Sequence, residues 1–153
     1  MYVVDGAGLL RAFDPAGVER WSRSIGTPGA PGPAIGADGT LAVGGGGAVW
    51  AFTPDGTLRW QRALGTGASA APISLDAGGA AYVGGDDGYL YALGPNGDVR
   101  WRESLDGVAA DAPEIGADGT LYVATRTGYL IAWVESAAAR SEAQRRRTLT
   151  LSR

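Results

Sequence analysis

A unit of about 40 residues recurs along the chain, and this periodicity limits the fold more than any single motif does. Leu41-Ala42-Val43-Gly44 returns as Ala81-Tyr82-Val83-Gly84 and as Leu121-Tyr122-Val123-Ala124, and Met1-Tyr2-Val3-Val4 opens the chain with the same element. A second element, Leu9-Leu10-Arg11-Ala12-Phe13, returns as Ala48-Val49-Trp50-Ala51-Phe52, Tyr89-Leu90-Tyr91-Ala92-Leu93 and Tyr129-Leu130-Ile131-Ala132-Trp133. A turn ending in Gly17, Gly56 or Gly97 follows, and Trp21, Trp60 and Trp101 then lie 39 and 41 residues apart.

Each unit divides into four short apolar runs separated by Gly-containing turns. Asp-Gly between apolar runs signals a hairpin, because Gly accepts positive φ without a Cβ clash and Pro presets φ at a turn's first central position. The runs carry no long 3.6-residue period. Four antiparallel strands per repeat of this length predict an all-β chain of β-propeller blades, each a small sheet whose faces are buried by its neighbours. A plain β-sandwich also has many short strands, but gives no reason for Ala, turn and Trp to repeat at fixed offsets.

The expected organisation is a partial propeller of three to four blades over residues 1–134. It comprises a partial blade at 1–24, full blades at 33–64 and 70–105, and a partial blade at 110–134. Residues 135–153 depart from the frame. Where it calls for another turn and a Trp near 141, the chain has Ser136-Ala137-Ala138-Ala139-Arg140-Ser141-Glu142-Ala143-Gln144-Arg145-Arg146-Arg147. That composition favours a helix, with Thr148-Leu149-Thr150-Leu151 able to add a last strand. The segment is a basic tail or a degenerate last blade.

Composition removes whole classes of chemistry. With no Cys there is no disulfide, thiolate nucleophile or thiolate metal ligand, and with no His there is no imidazole base or ligand. All 13 basic residues are Arg. Residues 1–135 hold 8 Arg against 15 acids, a net −7, and residues 136–153 hold 5 Arg against 1 acid, a net +4. An acidic body does not suit a nucleic-acid groove. No apolar run approaches the length of a membrane-spanning helix.

The segment Tyr89-Leu90-Tyr91-Ala92-Leu93-Gly94-Pro95-Asn96-Gly97-Asp98-Val99-Arg100-Trp101 resembles the repeat of pyrroloquinoline-quinone-like propellers, in which Leu-Tyr-Ala-Leu-Asp, a Gly turn and a Trp follow one another. Ala12/Gly17/Trp21 and Ala51/Gly56/Trp60 match the same frame, so the resemblance covers about residues 1–134. It implies that each Trp docks against the next blade near the Ala and the turn Gly. Ala12, Gly17, Trp21, Ala51, Gly56, Trp60, Ala92, Gly97 and Trp101 are thus expected to be blade-docking residues. The turns here are the shorter Pro-x-Gly kind, which resembles bacterial non-enzymatic members more than the dehydrogenases.

Complete propellers of this family usually have seven or eight blades. The chain reads as a fragment, with Met1 already in the second strand of its unit and no signal-peptide pattern, whereas the family is generally exported. The resemblance implies the periplasm or cell surface for a full protein; the chain itself leaves its location open. An open arc exposes the faces of its end blades and invites self-association, including two copies closing a ring of about eight blades.

Chemical candidates are sparse. Asp86-Asp87-Gly88 lacks the spaced acids of a calcium loop and fits a hairpin turn. Gly44-Gly45-Gly46-Gly47 lacks the Lys and the following helix of a phosphate loop. Asp38, Asp55, Asp76 and Asp118 sit beside turn glycines, where Asp bonds its own backbone. No catalytic, cofactor or metal residue is expected. Weak interaction candidates are Trp50, whose counterparts are Arg11, Tyr91 and Ile131, together with Asp111, Glu114 and Arg126 near blade-connecting loops. The expected function is a non-catalytic protein-interaction or scaffold module that presents loops on a rigid ring. The alternatives are a piece of a quinone-dependent dehydrogenase and a glycan-binding propeller.

Overall fold

The computed structural model describes residues 1–26, 30–64, 72–109, 111–134 and the backbone of 146–150. These form four antiparallel sheets in chain order, each a meander in which consecutive strands are neighbours. Blade 1 holds β1 (Tyr2–Val4), β2 (Leu9–Phe13) and β3 (Glu19–Ser24). Blade 2 holds β4 (Ala34–Ile35), β5 (Leu41–Gly45), β6 (Ala48–Phe52) and β7 (Leu58–Ala63). Blade 3 holds β8 (Ile73–Leu75), β9 (Ala81–Gly84), β10 (Tyr89–Leu93) and β11 (Val99–Ser104). Blade 4 holds β12 (Glu114–Ile115), β13 (Thr120–Ala124), β14 (Tyr129–Val134) and β15 (Arg146–Thr150). The fold is a partial β-propeller, all-β among the described residues.

The turns form where the sequence supplies an Asx acceptor and a Gly. Asp14 Oδ1 accepts from the amides of Ala16 and Val18 at 2.9 and 3.0 Å, and Gly17 at φ +82° closes the turn back to the Asp14 carbonyl. Every described residue at positive φ is a Gly, as expected where a Cβ would clash. The last hairpin of blades 1, 2 and 3 carries the same β-bulge, between Ala12 and Phe13, Ala51 and Phe52, and Ala92 and Leu93. The unpaired residue opposite each bulge is Arg20, Arg59 or Arg100.

The core is divided among the seams between successive blades. Leu10 of blade 1 meets Leu41, Val43 and Phe52 of blade 2. Val49 of blade 2 meets Val83, Tyr91 and Leu93 of blade 3. Leu90 of blade 3 meets Leu121, Val123, Ile131 and Trp133 of blade 4. Each such side chain contributes roughly 1.5–3 kcal/mol by leaving water, and it does so only because the adjacent blade is present.

The C-terminal segment differs from its local propensity. Residues 136–145, where the composition favours a helix, lie outside the described residues, and Arg146 and Arg147 begin a strand. The strand covers residues 146–150 and pairs with β14 from Tyr129↔Thr150 to Trp133↔Arg146. The unpaired edge of β14 offers a full row of backbone donors and acceptors, and pairing with it outweighs side-chain helix preference. Arg147 stands opposite Ala132, the register position that Trp21, Trp60 and Trp101 take opposite Ala12, Ala51 and Ala92.

Candidate functional site

The strand order sorts the turns to two ends of the arc. The turns within the last hairpins of the blades, including Asp14–Gly17, Thr53–Gly56 and Gly94–Gly97, lie at one end. The middle-hairpin turns and the blade-to-blade connections, including Thr125–Gly128 and the loop preceding Glu114, lie at the other.

At the first end, Trp21 and Trp60 reach from one blade to the next. The Trp21 indole Nε1 donates to the Pro54 carbonyl at 2.9 Å, and that of Trp60 to the Pro95 carbonyl at 2.7 Å. The ring faces lie on glycine: a Cβ on Gly56 would sit 2.6 Å from Trp21, and one on Gly97 would sit 2.6 Å from Trp60. Both glycines are buried. Ala12, Ala51 and Ala92 pair with the three Trp across the last hairpin of each blade, and all three are buried. Trp101 is half-buried against the third cluster and tilted on Tyr82, with ring centroids 6.1 Å apart. Gly17 is exposed and open.

A second latch accompanies the Trp. Arg23 Nε donates to the Gly56 carbonyl at 2.8 Å, with its guanidinium 5.8 Å from the centroid of the Trp21 ring. Arg62 Nε donates in the same way to the Gly97 carbonyl. The signal for this contact is Trp-x-Arg at 21/23 and 60/62, which is broken in Trp101-Arg102-Glu103. A carboxylate cannot donate to a carbonyl. At the opposite end of the third seam, Thr127 Oγ1 donates to the Asp106 carbonyl at 2.6 Å and the Arg126 amide to the Val108 carbonyl at 2.9 Å.

Trp50 is packed in the first seam, stacked on Phe52 at 6.4 Å and 2° between ring planes, with Nε1 donating to the Gly45 carbonyl at 3.3 Å. Asp111, Glu114 and Arg126 are exposed. Asp111 accepts from the Ala112 amide at 2.8 Å, and Glu114 pairs with Tyr122 across β12 and β13. Topology puts Asp111, Glu114 and Arg126 toward the same end, away from the Trp latches.

The turn acids are engaged locally. Asp87 accepts from the Tyr91 hydroxyl and the Tyr89 amide. Burial, then Asp87, push the Tyr91 hydroxyl above its usual pKa. The Thr40 amide and hydroxyl, with Arg59 at 2.8 Å, hold the Asp38 carboxyl down at about 2. Asp118 is lowered first by the Thr120 amide, and Asp55 first by the Thr53 hydroxyl. Among the described residues no three Asp or Glu converge as a cation site, and no helix is long and apolar enough to cross a membrane.

The comparisons agree with this architecture. A family model described as outer membrane protein assembly factor BamB matches residues 6–76 and, overlapping them, 47–140. No curated protein sequence matches the chain. The crystal structure of BamB from Moraxella catarrhalis is similar, with TM-score 0.67 and 27% identity over 83% of this chain and 40% of that one. A protein of unknown function from Bacteroides caccae has TM-score 0.61 and 14% identity over 94% of this chain and 54% of its own. The chain therefore spans 40% and 54% of the length of these two structures. With repeats, blades and a family match that together run from residue 6 to residue 140, the chain belongs to the pyrroloquinoline-quinone-like β-propeller repeat family.

Proposed function

We propose that the chain is part of a non-catalytic propeller that serves as a protein-interaction scaffold in the bacterial cell envelope, in the setting of outer-membrane protein assembly. The observation that carries this reading is the match to the assembly-factor family model, joined by 27% identity to the Moraxella catarrhalis protein. The chemistry of the chain is compatible with it. Trp21 and Trp60 on Gly56 and Gly97 hold one blade on the next, Ala12, Ala51, Ala92 and Trp101 take the equivalent places in their hairpins, and Gly17, expected as a docking residue, is open and holds no described blade. The indole faces and N–H groups of Trp21 and Trp60 are spent on the seams, which leaves little of either ring to stack on a sugar.

The partner surface is the opposite end, where Asp111, Glu114 and Arg126 stand exposed on and beside connecting loops. Charge reversal there tests the reading. Asp111→Arg, Glu114→Arg and Arg126→Glu together weaken binding to purified outer-membrane assembly components at least tenfold, by biolayer interferometry, with circular dichroism unchanged. Unchanged affinity removes that surface. Turnover of an alcohol with a dye acceptor, dependent on added pyrroloquinoline quinone and calcium, overturns the non-catalytic reading in favour of the dehydrogenase alternative.

A further inference from the structure

The seam between blades 2 and 3 holds a cavity of about 130 Å³ at the end of the arc that carries the Trp latches. Each of the two blades that form it has all four strands. The lining is apolar at Trp60, Leu75 and Pro95 and polar at Asp38, Thr40 and Arg59. The polar groups are wired to one another. Arg59 Nη1 donates to Asp38 Oδ2 at 2.8 Å and to the Thr40 hydroxyl. Thr40 donates its amide to Asp38 Oδ1 at 2.9 Å and its hydroxyl to Asp38 Oδ2 at 2.8 Å.

The balance of donors and acceptors states what a ligand must bring. The Asp38 carboxylate already accepts from three donors, the Thr40 amide, the Thr40 hydroxyl and Arg59 Nη1. What is left over is donor capacity: the N–H groups of Arg59 Nε and Nη2 have no acceptor among the described residues. A guanidinium edge of that kind matches a carboxylate with two parallel bonds. The Arg59 side chain is 41% exposed, so the edge is reachable. The Asp38–Thr40 clamp holds it in place beforehand, which lowers the ordering cost of binding. The clamp is not part of the repeat. The Trp, Pro and turn Gly recur in blades 1, 2 and 3, but blade 3 has Gly78 and Ala80 where blade 2 has Asp38 and Thr40. Blade 4 keeps Asp118 and Thr120 but pairs β14 with β15 without the bulge opposite which Arg59 stands. A device that the fold required would return with the period.

We propose that this seam cavity is a binding site for a carboxylate carried on a small apolar group. The Nε–Nη2 edge of Arg59 holds the two carboxylate oxygens, and the apolar group lies against Trp60, Leu75 and Pro95. A dry cavity of about 150 Å³ holds benzene, so the space here suits a single ring or a branched aliphatic group of that order. A free small acid and the C-terminal residue of a polypeptide both present this chemistry. The site lies at the end of the arc opposite the exposed loops, and it does not depend on what those loops bind.

The test is a titration of the isotope-labelled full chain, followed by nuclear magnetic resonance at constant ionic strength. Sodium benzoate is the probe for a free acid. Saturable shifts of the Trp60 indole N–H and the Gly78 and Gly79 amides are expected, with a Kd of about 1 mM. Benzamide, neutral and of the same shape, binds roughly tenfold or more weakly. Arg59→Gln weakens benzoate by a similar factor, and Ala77→Phe, at an exposed residue that also lines the cavity, blocks it, both with circular dichroism unchanged. If Arg59→Gln does not fold, benzamide and Ala77→Phe still decide. The tripeptide acetyl-Gly-Gly-Phe and its C-terminal amide separate the sources. Acid peptide binding roughly tenfold tighter than benzoate, and lost in the amide, supports a polypeptide C-terminus. Benzoate binding as tightly as the peptide supports a free acid. No saturable shift with either acid up to about 50 mM overturns the proposal. So does benzamide binding as tightly as benzoate, or affinity kept in folded Arg59→Gln, since either leaves Arg59 without a part. Charge reversal at Asp111, Glu114 and Arg126 leaves benzoate binding unaltered, so this site and the scaffold reading can fail separately.

Discussion

Gly56→Ala and Gly17→Ala form a matched pair, because both glycines sit at φ +82° in the same kind of turn. Alanine in the left-handed region costs about 1–2 kcal/mol at either position. Only at Gly56 does the added methyl meet an obstacle, with Trp21 Cδ2 at 2.6 Å, Cε2 at 2.9 Å and Cε3 at 3.0 Å. Carbon atoms rest about 3.5–4 Å apart, so the ring must move away by roughly 1 Å. That displacement strains or breaks the 2.9 Å bond from Trp21 Nε1 to the Pro54 carbonyl, which is worth about 1 kcal/mol. It also loosens the packing of an indole, at a cost of about another 1–2 kcal/mol when partly lost. Gly17→Ala should therefore destabilise by about 1–2 kcal/mol and Gly56→Ala by about 3–5 kcal/mol. With a urea dependence of about 1–3 kcal/mol per molar, the difference separates the two midpoints by about 1 M. Urea titration followed by both far-ultraviolet circular dichroism and Trp fluorescence measures it. Coincident midpoints would refute the claim that the Trp21 ring is seated on Gly56.

Three further outcomes follow from the geometry. Trp60→Phe keeps a ring over Gly97 but loses the 2.7 Å bond to the Pro95 carbonyl, and should cost about 1 kcal/mol against about 3–5 for Trp60→Ala, by the same titration. Thr127→Val removes the 2.6 Å bond to the Asp106 carbonyl, and should cost about 1 kcal/mol and raise amide exchange at Val108 and Ala109 before it does so in blade 1. The folded pKa of Asp38 is depressed from 3.8 to about 2, so its contribution to stability is present above the unfolded value and is lost as pH falls through the folded one. Melting temperatures measured from pH 5 down to pH 2 should fall less for Asp38→Asn than for the parent chain, and an unchanged acid limb would remove Asp38 from the acid response.

The repeat, the all-β class and the match to one propeller family were legible because they are written in spacing: an Ala, a turn Gly and a Trp at fixed intervals. The Trp-x-Arg latch was less visible, since its acceptors are backbone carbonyls of Pro54, Gly56, Pro95 and Gly97, and a carbonyl leaves no trace in residue identity. Only the recurrence of Arg23 and Arg62 two places after Trp marks it. The three bulges escaped for a related reason: Arg20, Arg59 and Arg100 look like ordinary strand residues, and their lack of a partner is a property of the paired strand. Arg146–Thr150 was legible only in part. Local preference pulls its start towards helix, whereas the edge that recruits it, β14, lies in the neighbouring hairpin. Arg126 and Asp111 have no local pattern that marks a surface, and topology alone puts them at one end.

The division of the core into seams has a consequence for how such a chain changes over generations. Each seam is made by the trailing face of one sheet and the leading face of the next, and the polar latch is carried by the same pair. A duplication or loss of one 40-residue unit therefore rejoins a trailing face to a leading face of the same kind and leaves the other seams as they were. Length is consequently the trait such a gene can alter in a single event. The chemistry at each junction is the trait it must keep: Glu103 stands where Arg23 and Arg62 latch the two earlier seams, and Arg147 stands at the register position of the three Trp.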